Sequence, residues 1–192
     1  MRVVVPVHYD FASSLCYVAH RVMERLALDL DATGVALAWT PLDLAQLLGY
    51  PRGAPIPEER RANAARVARD LGVPLDVPVV WRDSRAWNAA ALLAAEAGCD
   101  ARFREAAWCA LYEGRDDASV EAVAAASGVA LDRDALAAAI SRVAALTETA
   151  REAEVAGVPT FVLDRWPLCG IQSEATMRAL LFRFAKRSAG AH

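Results

Sequence analysis

The chain has 192 residues, 56% of them hydrophobic, and a formal net charge of −3, enough for one compact unit with a substantial core or for a small domain carrying a large insertion. Acidic and basic residues are interspersed, so no nucleic-acid or acidic-membrane footprint is expected, and no apolar run reaches the length of a membrane span. The expected partner is a small molecule. All basic residues but Lys186 are arginine, which leaves almost no candidate for a lysine base or Schiff-base nucleophile.

The opening "MRVVVPVHYD" is too short and poorly shaped for a secretory signal, and a cytoplasmic location is expected. Cys16, Cys99, Cys109 and Cys169 form no C-x-x-C pair and no metal-ligand spacing. Free thiols and no metal site are expected.

Residues 3–7, short and β-branched, read as a buried strand. Apolar residues then recur at helical spacing over residues 13–30, and Gly34 ends the pattern before a second strand at 35–39. A crossover of this length makes the strands parallel, a β-α-β unit. The Gly- and Pro-rich residues 47–57 read as a loop. Helical patterns follow at about 58–71, 86–97, 100–113, 118–126 and 132–154, separated by Gly72, Gly98, Gly114 and Gly128. Strands are expected at 160–163 and 166–169 around a turn near Asp164 and Arg165, then a last helix from about 173 to 186 and an irregular tail that includes His192.

Three features stand together: a strand leading to "DFASSLCY" (residues 10–17) at a helix start, a helical block, and "GVPTF" (157–161) entering a hairpin. Their order resembles the α/β thioredoxin fold (β-α-β … β-β-α) with an all-helical insertion, in its DsbA-like form. The resemblance implies a thioredoxin-like domain of residues 1–56 and 157–192 and a helical insertion of 57–156. Within that family the pattern is most similar to 2-hydroxychromene-2-carboxylate isomerases and kappa-class glutathione transferases, whose first motif has the form D-F-x-S-P-Y. Further similarity lies in "LDLA" (42–45), "RANAARVARDLGVPL" (61–75) and "DSRAWN" (83–88).

By this resemblance Ser13 matches the catalytic serine, and the Val158-Pro159 bond matches a cis-proline facing the active-site helix. Ser14, Leu15, Val158, Pro159, Gln172 and Ser173 are then expected to hold glutathione. Arg82, Arg85 and Asn88, around a helix start, are candidates for a substrate carboxylate. The glutathione-dependent relatives carry G-N-D-R or G-S-D-R after the last strand, whereas this chain reads Gly170-Ile171-Gln172-Ser173. Ile171 cannot hydrogen-bond through its side chain, and the segment is closer to the G-A-Q of DsbA-like oxidoreductases.

Physical chemistry alone separates Ser13 from Cys16. A dithiol oxidoreductase needs an exposed, low-pKa thiolate at the helix N-terminus. The tetrad Ser13-Ser14-Leu15-Cys16 has serine there, and its thiol lies one turn deeper. Ser13 presents a hydroxyl beside unsatisfied helix N–H groups, which suits an external thiolate, and also suits a plain N-cap. Cys16 is read either as a second catalytic group, with His20 four residues on as a partner, or as a small core residue. His8 reads as a strand-end polar residue.

The leading expectation is a glutathione-dependent isomerase acting on an aromatic keto acid or chromene carboxylate, with pocket shape set by the helical block and the loop at 50–57. The alternatives are a DsbA-like thiol-disulfide oxidoreductase using Cys16, and a non-catalytic binding protein of the same fold. The resemblance also implies a homodimer.

Overall fold

In the computed structural model, which describes residues 2–114 and 118–190, strand β1 (Val3–Tyr9) turns Val5, Val7 and Tyr9 into the core and leaves Pro6 and His8 half-buried between them. This is the period of two that a strand with one inner face requires. Pro6 has no N–H to donate and pairs on the β2 side only, because β3 reaches β1 no further than Val7.

Helix α1 (Ser14–Arg25) buries Cys16, Tyr17, Val18, His20 and Val22. The helix expected to continue to residue 30 breaks at Leu26, whose N–H bonds the Met23 carbonyl at 3.2 Å in a tightened last turn. The chain restarts as α2 (Ala27–Ala32). Leu26 and Leu30 are both buried, so the apolar period carries through the break and hides it.

Gly34, at φ 71°, turns the chain into β2 (Val35–Pro41), parallel to β1. A short helix α3 (Leu44–Leu48) occupies part of the expected loop. Asp43 caps it by accepting from Gln46 N–H at 3.1 Å. Five helices follow: α4 (Glu58–Asp70), α5 (Arg85–Glu96), α6 (Asp100–Tyr112), α7 (Val120–Ser127) and α8 (Arg133–Glu152). Helix α5 packs on α6, α7, α8 and β2, and its buried Ala89, Ala90, Ala91 and Ala94 let the partners approach closely.

Strands β3 (Thr160–Leu163) and β4 (Trp166–Cys169) form the expected hairpin. Asp164 takes a positive φ of 62° in the two-residue turn between them, a conformation Asp tolerates. Helix α9 (Glu174–Gly190) runs four residues beyond the expected end, with Met177 and Leu181 fully buried; His192 lies outside the described residues. The sheet order is β2-β1-β3-β4, with β3 antiparallel to β1. Tyr9 and Phe11 at the end of β1 pack against Trp108 of α6, the Phe11 and Trp108 rings 4.6 Å apart, so the end of β1 is fixed by the helical block. Among the described residues no helix is long and apolar enough to cross a membrane.

Candidate active site

The turn between β1 and α1 is built on a buried carboxylate. Asp10 is fully buried and accepts from Ala12 N–H at 2.7 Å and Leu44 N–H at 2.5 Å. Burial raises its pKa, against the opposing effect of those N–H groups and of Ser84 and Asn88. Asn88, also fully buried, accepts from Phe11 N–H at 3.3 Å and donates to the Leu42 carbonyl at 2.8 Å. Tyr112 donates its hydroxyl to the Phe11 carbonyl at 3.0 Å. The turn is thereby tied to α3, α5 and α6.

This framework sets Ser13 at the N-cap of α1 in an extended conformation (φ −93°, ψ 111°). Its N–H donates to the Asp10 carbonyl at 3.0 Å, and its Oγ accepts from Cys16 N–H at 3.3 Å. The N–H groups of Ser14 and Leu15, in the first helical turn, have no partner within the helix.

Ser13, Ser14 and Leu15 line a cavity of about 460 Å³. Its other walls come from the first turns of α4 (Glu59, Arg60, Asn63), from Tyr50 and Trp81 on two straps, and from Gly157, Val158 and Cys169 beside the hairpin. Gly53 N–H bonds Trp81 O at 2.7 Å, Trp81 N–H bonds Ala54 O at 2.8 Å, and Ile56 N–H bonds Val79 O at 2.8 Å, holding the straps together. The Tyr50 and Trp81 rings stack at 4.3 Å and 12°, and the Arg60 guanidinium lies 5.0 Å over Tyr50. The Tyr50 hydroxyl is buried and has no hydrogen-bond partner among the described residues. The Val158-Pro159 bond is cis.

A family model described as "DSBA-like thioredoxin domain" matches residues 4–182. The chain belongs to the DsbA-like thioredoxin family. Among solved structures it is similar to a 2-hydroxychromene-2-carboxylate isomerase, with 24% identity, TM-score 0.70, and 98% of this chain and 99% of that one covered. It is also similar to a probable DsbA oxidoreductase from Streptomyces coelicolor, with 21% identity, TM-score 0.68 and coverage of 94% and 89%. A third similar structure is the cytosolic disulfide reductase DsbM from Pseudomonas aeruginosa with GSH, at 20% identity, TM-score 0.56 and coverage of 98% and 98%. At these identities the likeness establishes the fold. No curated protein matches the sequence.

Of the residues expected from sequence, this DsbA-like fold brings Ser13, Ser14, Leu15 and Val158 to one cavity. Pro159 stands beside Val158, its carbonyl accepting from Gly170 N–H at 2.7 Å. Cys16, expected either as a second catalytic group or as a small core residue, lies in the core. Its thiol is fully buried, outside the cavity lining, and burial pushes its pKa far up. It also has no hydrogen bond to His20, whose Nε2 meets Glu105 at 2.9 Å.

Gln172 and Ser173 are exposed and outside the lining. The Ser173 hydroxyl accepts from Thr176 N–H at 3.2 Å, which caps α9. The three carboxylate candidates near the start of α5 are engaged within the protein. Arg82 donates to the Leu111 carbonyl at 3.1 Å, Arg85 pairs with Asp83 at 2.6 Å, and Asn88 is used inside the core; none lines the cavity. The residues that sequence reasoning left unassigned are Arg60, Glu59, Asn63 and Cys169. The signal for the first three was their spacing at one helix start just after the 50–57 loop.

A second polar group ties the body of α1 to α6. Arg21 bridges Glu24, Glu105 and Glu113, and Tyr17 donates to Glu113 at 2.8 Å. Ligand atoms of His20, Glu24 and Glu105 lie within 4.8 Å of one another. The Arg21 guanidinium already bonds both carboxylates, so a cation is present in the protein's own structure and the group reads as an anchor.

Proposed function

We propose that this chain is a cytoplasmic glutathione-dependent isomerase of the 2-hydroxychromene-2-carboxylate isomerase type, acting on an aromatic keto acid or chromene carboxylate. The observation that carries this reading is the division of labour at the start of α1: Ser13 faces the cavity while Cys16 faces the core. That burial weighs against the rival reading, a thiol-disulfide oxidoreductase working through Cys16, because the thiolate must be exposed to attack.

The residues present suit a thiol cofactor. Ser13 brings a hydroxyl to the cavity that can donate to a sulfur, and the N–H groups of Ser14 and Leu15 in the first turn, with the helix dipole, favour a negative charge there. Arg60 supplies a guanidinium for a carboxylate, and Glu59 a carboxylate for an ammonium. This replaces the polar pair that relatives carry after the last strand, where Ile171 is buried. Bound there, glutathione would supply a thiolate able to add to a conjugated double bond and leave after rotation about it. Trp81, which lines the cavity, offers flat apolar area for an aromatic substrate.

Calorimetric titration of reduced glutathione into the reduced protein near neutral pH tests the reading. Binding that weakens in Ser13→Ala is expected. Absence of binding to the unaltered protein overturns it.

A further inference from the structure

We infer that residues 50–81, the two straps with helix α4 between them, form a single movable cover of the Ser13 cavity, latched to the rest of the chain by Arg52 at one edge and Arg25 at the other. The excursion leaves the body after Gly49, the left-handed C-cap of α3 at φ 72°, and returns at Trp81 ahead of α5.

The segment holds its own shape. Its straps are joined by the three backbone hydrogen bonds described above, and Pro55 and Val80 pair as an antiparallel bridge. Tyr50 stacks on Trp81 across the straps, and Arg60, in the first turn of α4, lies over the same Tyr50 ring. Past the helix, Val73 N–H returns to the Ala68 carbonyl at 2.9 Å. Displacement of one part therefore carries the others with it.

Its hold on the body is slight by comparison. The buried residues of 50–81 are Ile56, Ala64, Ala68 and Val73, with Val67, Leu71 and Leu75 partly covered. Two of the buried ones are alanines, whose methyl groups gain little on burial. Helix α4 packs chiefly on α1, whereas α5 is gripped by α6, α7, α8 and β2. A cavity lies at each end of the contact between α1 and α4. The one at the start of α4 holds Ser13, and past the end of α4 a cleft of about 690 Å³ separates residues 72–76 from Tyr17, Arg21, Glu24 and Arg25 of α1.

Two arginines supply the polar attachment. Among the described residues, every side-chain hydrogen bond between 50–81 and the rest of the chain is made by one of them. Arg52 reaches from the first strap to Asp43, the buried N-cap of α3, with its Nε 3.7 Å from Asp83 ahead of α5. Asp43 is itself fixed, its N–H bonding Thr147 Oγ1 of α8 at 2.8 Å. Arg25, in the last turn of α1, donates to the Leu71 carbonyl at 2.8 Å and pairs with Glu174 of α9 at 3.2 Å. A cation at the C-terminal carbonyls of α4 also meets the negative end of its dipole. Release of both guanidiniums leaves the cover resting on small side chains between two cavities. It then opens as a unit while β1, α1 and α5 keep their places, and the Ser13 cavity is exposed to an entering ligand.

Hydrogen exchange of the ligand-free protein, read by mass spectrometry at several low urea concentrations, tests this. Peptides from both straps and from α4 should share one opening equilibrium with the same urea dependence, and should exchange faster than peptides of β1 and α5. Arg52→Ala and Arg25→Ala should each raise exchange about tenfold across all of 50–81, the size of one hydrogen bond to a charged group, and leave β1 and α5 unchanged. Straps and helix that open separately in the unaltered protein overturn the inference without any variant. So does a variant effect confined to the neighbourhood of the lost side chain, spread over the whole chain, or absent in either variant. No ligand enters the measurement, so its outcome is independent of whether glutathione binds at Ser13.

Discussion

Replacing Asn88 by alanine distinguishes a substrate ligand from a framework residue. The side chain is fully buried, takes the Phe11 N–H, donates to the Leu42 carbonyl, and is one of the donors around Asp10. Asn88→Ala leaves these groups short of partners where water cannot easily replace them, at about 1–3 kcal/mol for each group stranded. The expected total is about 3–5 kcal/mol, among the larger losses single substitutions produce. At about 2–4 °C per kcal/mol for a domain of this size, the melting midpoint should fall by roughly 10 °C. Urea and thermal denaturation followed by circular dichroism would measure it, with an unchanged urea slope showing that both proteins unfold alike. A loss below about 1 kcal/mol combined with weakened ligand affinity would refute the reasoning, since it would mean that the amide serves the cavity and the turn stands without it.

Cys16→Ala should leave turnover and glutathione affinity nearly unchanged, and native Cys16 should resist alkylation that modifies Cys169; rapid labelling of Cys16 in the folded protein would contradict its burial. Arg60→Ala should weaken glutathione binding about tenfold or more, whereas Arg85→Ala, at a surface pair with Asp83, should leave it alone. Equal effects in a calorimetric comparison would move the carboxylate site to α5. Acid stability should show two limbs. Burial holds the His20 imidazole neutral down to about 4, while the unfolded chain protonates near 6.5, so the unfolded state binds the extra proton and stability falls as pH drops from 6.5 to 4, by about 3 kcal/mol in full. Glu105 is raised by burial but pulled down to about 2 by hydrogen bonds from His20, Arg21 and Cys109, so its contribution is lost as pH falls from 4.5 to 2. His20→Gln should flatten the upper limb in urea midpoints measured against pH, and an unaltered limb would refute the assignment.

Much of the fold was legible because its elements follow strong local rules. The β-branched run at 3–7, the glycines between helices, and the hairpin at 160–169 each mark their element without tertiary help. The site was legible where the chain itself forms it, at Ser13 and Val158. Long-range contacts were not. The helix start at "RDSRAWN" places Arg82, Arg85 and Asn88 near one another in sequence but does not say which side faces the cavity. An amide within "RAWNAAALLAAE", on a helix of alanines, was better read as a buried polar group, since such a helix is packed on several sides. The five residues of α3 are too few to show a period, and the break at Leu26 is masked because the following segment keeps the apolar phase.

The cavity has walls of unequal stiffness. Helix α1 is held at its start by Asp10 and Asn88, and along its length by Tyr17, His20 and Arg21 gripping α6. The straps opposite are joined by three backbone hydrogen bonds between 53–56 and 79–81, and they carry the exposed Val79 and Val80. Such a vessel fixes the reacting centre on its rigid side and adjusts its volume on the compliant one. Differences in ligand size should therefore be absorbed by Tyr50 and Trp81, while Ser13 and the first N–H groups of α1 keep their positions from one ligand to the next.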